Sequence, residues 1–258
     1  MEILVLRFAM AFAVLYAMGP GRIPGMTIRR HAVAAAAGLC GICLYYLLEN
    51  IALGFTMASN VAVILSATPF FTALVSRFVF HGGEKFTPLF FAGFIMAMVG
   101  ICLISFNGVQ LSLNPSGDIL AVTASVVWSF YACFTRIMGQ WGCSLVQVTR
   151  ATFGWGIVFM LPFLAWFGFD VSMEQLLCPV NMFNLLFLGL VASALCFTTW
   201  NMAVRTLGTV CASLYIYMTP VITVAVSAAV LGEPLTPLLM AGTLLTIAGL
   251  FLSQKGRG

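Results

Sequence analysis

One stretch of this chain is written twice. Residues Asn50 to Leu103 return, diverged, as Asn201 to Leu252. Asn50-Ile51-Ala52 aligns with Asn201-Met202-Ala203, and Thr68-Pro69 with Thr219-Pro220. The apolar run after each proline carries Thr72, Val75, Ser76 and Val79 in one copy and Thr223, Val226, Ser227 and Val230 in the other. His81 and Gly82 then shift the register. Beyond them, Gly83-Glu84-x-x-Thr87-Pro88 with Gly93 and Gly100 answers Gly232-Glu233-x-x-Thr236-Pro237 with Gly242 and Gly249. A duplication of this length requires two related structural units, which limits the architectures open to the chain.

The solvent of those units follows from the scarcity of charge. Only 7% of residues are charged and 62% are hydrophobic, against roughly 25% charged in a soluble domain. Several windows reach the ~18 consecutive apolar residues of a membrane span. The chain reads as an all-α integral membrane protein. Period-two patterning in short segments, which a barrel needs, is absent. The eight cysteines are scattered. Cys40-x-x-Cys43 has no second pair and sits among small helical residues, so it reads as packing and no metal is expected.

Nine spans are expected, at roughly 3–18, 31–52, 58–79, 87–104, 118–136, 147–167, 182–203, 208–230 and 237–253. The links are short. Asn114-Pro115-Ser116-Gly117 closes the longest polar one and divides a first repeat, residues 1–106, from a second, residues 116–254. Thr87-Pro88 and Thr236-Pro237 read as N-cap followed by proline at the first helical position. Pro69 and Pro220 fall in mid-span, where each removes a backbone hydrogen bond and bends its helix. Gly93, Ala97 and Gly100 form one small-residue face and Gly242, Thr246 and Gly249 another, suited to close helix approach in lipid.

With the C-terminus in the cytoplasm, every basic residue except Arg7 falls on the inner side, and the acidic residues except Glu84 on the outer. This is the positive-inside distribution. The second repeat then has five spans and the first four, with nothing opposite 118–136. The expectation is an inverted-repeat helical bundle of ten spans, five plus five, whose first helix is missing from this sequence. An odd number of spans per repeat inverts one copy relative to the other, the plan of secondary transporters.

The paired Asn-x-Ala, Thr-Pro, Gly-Glu-x-x-Thr-Pro and Ala-Gly-x6-Gly blocks resemble the EamA domain of the drug/metabolite transporter superfamily. The resemblance covers nearly the whole chain. It implies ten helices in two five-helix repeats and export or exchange of small metabolites, often amino-acid-like, across the bacterial inner membrane. The shared motifs are turns, caps and packing glycines, so they carry over no substrate.

Ionisable groups within spans are costly and point to function. Glu49 lies in the last turn of its span, with Tyr45 one turn below and Asn50 beside it. Arg7 lies one turn into the neighbouring span, and the two are expected to meet, either as a structural ion pair or as contacts for the ammonium and carboxylate of a substrate. In the duplicated register Glu49 is matched by Trp200. Asn50 and Asn201 are matched amides that need partners. Asn60 and Tyr215 are polar points in the proline-bent spans, and Trp128 and Tyr131 lie deep enough to line a cavity. Glu84 and Glu233 precede helix starts, where negative charge is favourable. Short, chemically poor loops argue against an enzyme. No phosphate-binding loop is present, so no cofactor is expected and the drive is a proton gradient or exchange. The expected partners are a small-molecule substrate and the lipid bilayer, not nucleic acid, with the chain as monomer or homodimer. Efflux of hydrophobic cations is the same-class alternative, and a non-transporting accessory subunit or membrane enzyme the other.

Overall fold

The computed structural model describes residues 2–21, 23–81, 87–105, 114–168, 176, 178–231 and 236–256. The described residues are almost wholly helical and contain no strand. The long helices are α1 (Glu2–Met18), α2 (Ile28–Phe55), α3 (Ala58–Phe78), α4 (Pro88–Ser105), α5 (Pro115–Gly139), α6 (Leu145–Phe167), α7 (Pro179–Leu207), α8 (Thr209–Val230) and α9 (Pro237–Lys255). Eight of them, α2 to α9, are long and apolar enough to cross a membrane. α1 has 17 residues, about 26 Å at the usual helical rise. Helices suit lipid because each satisfies its own backbone polar groups.

Local chemistry sets the ends. α2 starts at Ile28, ahead of the expected 31, because the Thr27 hydroxyl accepts the N–H of Arg30 at 3.3 Å. α7 begins at Pro179, whose ring favours the first helical turn. Ser144 and Gln147 form a reciprocal capping box on α6. The Thr236 hydroxyl accepts from the Leu239 N–H at 3.2 Å, the expected cap on α9. Thr87 works differently. Its hydroxyl donates to the Gly256 carbonyl at 2.7 Å and its N–H to the same oxygen at 3.0 Å, tying the start of α4 to the end of α9. Glu84 and Glu233 lie outside the described residues.

Both proline-bearing spans are interrupted. α3 breaks at Ala67, so that Pro69 falls in the first turn of the segment Thr68–Phe78. Proline cannot donate to the carbonyl four residues back, and the Thr68 hydroxyl takes that carbonyl, Leu65 O, at 2.5 Å. α8 passes through a tight 3-10 turn at Tyr215–Tyr217 just before Pro220. The helices also widen in places. α2 has a π-helical stretch at Leu39–Leu44 and α7 one at Phe187–Leu195. The register that aligns Asn50 with Asn201 aligns Leu39 with Leu190 and Leu44 with Leu195, inside the second stretch.

The chain divides into two compact units, and neither is one of the sequence halves. The first comprises Met1–Leu47 and Phe130–Gly208, the second Leu48–Ser129 and Thr209–Gly258. α2 and α5 each contribute to both. In the first unit, α2 and α6 meet at Gly38, where an added Cβ would overlap the backbone of Thr152 and Gly156. In the second, the two small-residue faces pack on each other. A Cβ on Gly93 would overlap Ser253 and Gly249, and one on Gly100 would overlap Thr246 and Gly242. Side chains are thus excluded where the α4 and α9 backbones touch. Beside this seam, Phe90, Ile101, Leu214, Tyr217 and Leu250 form a buried apolar cluster.

Candidate functional site

In the first unit, chemistry gathers around Arg7. It is the only charged residue of α1 after Glu2. The guanidinium lies 4.6 Å from the centre of the Phe8 ring and 4.6 Å from that of Tyr46. Its Nε donates to the Ser193 hydroxyl at 3.1 Å. Both outside partners belong to the widened helices: Ser193 lies within the π-helical stretch of α7, and Tyr46 two residues past that of α2. Extra residues per turn re-aim side chains, which is why such stretches collect at functional positions. Ring faces attract a cation without using its donors. Among the described residues no acceptor is bonded to either Nη of Arg7.

Aromatic contacts lead inward from this point. Phe8 packs against Phe153 at 5.3 Å and Phe197 at 6.0 Å between ring centres, and Phe197 against Tyr131 at 6.0 Å. Tyr131 is fully buried, seated against Gly41, where any side chain would overlap its ring. Its hydroxyl donates to Asn201 Oδ1 at 3.0 Å, and Asn201 Nδ2 donates to the Thr149 hydroxyl at 2.8 Å. The structure therefore joins two expected site residues, Tyr131 and Asn201, in a buried hydrogen-bonded chain that continues to Thr149. An opening of about 520 Å3 lies between the first turns of α1 and α7, lined by Glu2, Ile3, Leu6, Asn181, Asn184 and Leu188 among others.

The remaining expected residues are distributed. Tyr45 is half-buried with its ring 5.0 Å from that of Tyr46. Glu49 is half-buried and Asn50 exposed, both in the second unit. Tyr215 is exposed, and Trp128 half-buried on α5. Asn60 is buried and donates to the Thr56 hydroxyl at 3.2 Å, which donates in turn to Asp118 at 3.1 Å. Asn114 binds the Phe55 carbonyl at 2.6 Å and its N–H reaches Asp118 at 3.1 Å, so this cluster fastens the end of α2 to the start of α5.

Sequence reasoning passed over Ser193 and Tyr46. It also passed over a hydroxyl cluster inside the second unit, where Ser213 donates to Thr72 at 3.3 Å and Thr72 to Ser129 at 3.1 Å, all buried. Thr72 carried a signal as a duplicated polar residue one turn past Pro69. Ser193 and Ser129 carried none, because a serine within an apolar helix usually bonds its own backbone.

The long apolar helices are those of a multi-pass membrane protein. The chain belongs to the EamA-like transporter family, which matches residues 1–106 and 115–254. A Bacillus subtilis protein described as the uncharacterized transporter YyaM is 26% identical over 88% of this chain and 74% of its own length. A "probable amino-acid metabolite efflux pump" of Salmonella typhimurium is 28% identical over 80% of this chain and 70% of its own length. A "probable terminal-alkyne amino-acid exporter" of Streptantibioticus cattleyicolor is 25% identical over 94% of this chain and 80% of its own length. A solved crystal structure superposes with a TM-score of 0.80 at 19% identity, covering 98% of this chain and 88% of that one, and shares the fold. The relatives are named transporters and pumps, which answers the enzyme alternative.

Proposed function

We propose that this protein exports small amino-acid-like metabolites across the bacterial inner membrane by alternating access, with its C-terminus in the cytoplasm. The observation that carries the reading is Arg7. A guanidinium one turn into a membrane helix is retained at a cost. Here it is held by two ring faces and one hydroxyl, which leaves its forked Nη donors for a ligand. That fork matches a carboxylate, the group common to amino acids and their derivatives. The names of the Salmonella and Streptantibioticus relatives agree with such a cargo.

Glu49, three residues past Tyr46 and therefore on the same side of α2, is the acidic candidate of the pathway. An inverted repeat of the duplicated stretch supplies the means of exposing a site to each side in turn. Protons or a second solute drive the cycle.

The test uses purified protein in proteoliposomes preloaded with a mixture of amino acids and their N-acyl and keto derivatives. Saturable efflux of a carboxylate-bearing solute supports the reading. Efflux of hydrophobic cations alone would replace it with multidrug export. Glu49→Gln should lower the rate at least about fivefold, close to 1 kcal/mol, without lowering thermal stability. Equal loss of rate and stability would make Glu49 structural.

A further inference from the structure

The first unit contains a second opening, of about 540 Å3, lined by Phe12, His31, Arg150, Ala151, Gly154 and Trp155 among others. This size is ordinary for a small-molecule site. Its floor carries a buried cation. Arg150 is only 8% exposed. One Nη donates to the Gly19 carbonyl, and the other to the Gly21 carbonyl at 2.7 Å. The Tyr16 ring lies 5.2 Å from the guanidinium carbon. Carbonyls and a ring face orient a guanidinium without cancelling its charge. Among the described residues no carboxylate is bonded to Arg150. A cation so far from water ordinarily has an anion beside it, and two of its five N–H groups on carbonyls leave three unspent. The walls are aromatic. Phe12 and Trp155 are half-buried, and His31 stands edge-on to Trp155 at 6.1 Å between ring centres. Among the described residues no acidic one lines the opening.

We propose that this opening binds an organic monocarboxylate with a flat apolar body, its carboxylate on Arg150 and its body between Phe12 and Trp155. A single guanidinium favours one negative charge over a phosphate dianion. The site shares no residue with the surroundings of Arg7, so it stands or falls apart from the transport reading.

The test is equilibrium binding of radiolabelled phenylacetate to the full chain in nanodiscs of zwitterionic lipid, beside neutral phenylacetamide. Phenylacetate should bind saturably and at least about tenfold more tightly than the amide, the margin of one charge-assisted contact. Ala151→Leu, which fills the opening and leaves Arg150 in place, and Trp155→Leu, which removes a wall, should each weaken binding about tenfold, in protein shown monodisperse by size exclusion. Equal binding of acid and amide, indifference to both opening variants, or the absence of saturable binding would overturn the proposal. So would displacement by phosphatidylglycerol added to the nanodiscs, which would assign the opening to a lipid headgroup.

Discussion

Arg150 gives two N–H groups to the carbonyls of Gly19 and Gly21, whereas Arg7 gives one to the hydroxyl of Ser193 and rests between the rings of Phe8 and Tyr46. Both lie near the start of a long helix in the same compact unit. Backbone carbonyls are fixed, so Arg150 pins the Gly19-Pro20-Gly21 link to α6 and gains a defined position. Rings and a hydroxyl hold Arg7 more loosely and consume fewer of its donors. The cost of a buried cation is thus met in two ways. Arg150 commits two donors to backbone carbonyls and Arg7 one to a side-chain hydroxyl, and each keeps the rest for a ligand.

Arg150→Gln removes two charge-assisted hydrogen bonds and should cost on the order of 3 kcal/mol of stability, seen as a lower temperature of thermal aggregation in detergent. No loss would mean the link is not pinned there. Arg150→Lys keeps the charge but not the fork, and about half that loss is expected in the same assay. Tyr46→Leu deletes one ring face from Arg7 and should cost about 1 kcal/mol, while raising the substrate concentration needed for half-maximal transport. Ser193→Ala should cost about 0.6 kcal/mol, the usual worth of a side-chain hydrogen bond between membrane helices. A loss as large as that of Arg150→Gln would show that Arg7 is chiefly structural.

Much of this arrangement is legible in the sequence. Among the described residues hydropathy locates the eight helices long and apolar enough to cross a membrane, because a helix in lipid must be apolar along its length. The faces of Gly93, Ala97 and Gly100 and of Gly242, Thr246 and Gly249 announce a close contact, since small residues have little other use in lipid. Pro69 and Pro220 mark the interruptions of α3 and α8. The partners of Arg7 are not legible. Ser193 is 186 residues away in the chain, and its aim depends on a π-helical stretch that has no simple sequence signature. Nor does the duplication predict the compact units, since each draws helices from both halves. The repeated Thr-Pro pairs show the limit most clearly. Thr68 and Pro69 are buried, whereas Thr219 is exposed and Pro220 half-buried. The same motif breaks a helix in both places, but burial is decided by neighbours the motif does not encode.

The account turns on Arg7 keeping its donors for cargo. The direct test is efflux of the identified carboxylate from proteoliposomes by the unaltered protein and by Arg7→Gln, with thermal stability measured on the same preparations. The account predicts a fall in rate of at least about tenfold with stability changed by less than about 1 kcal/mol, as expected for a cation held by one hydroxyl and two ring faces. Undiminished transport by Arg7→Gln, or a loss of transport that only mirrors a loss of folded protein, would contradict it.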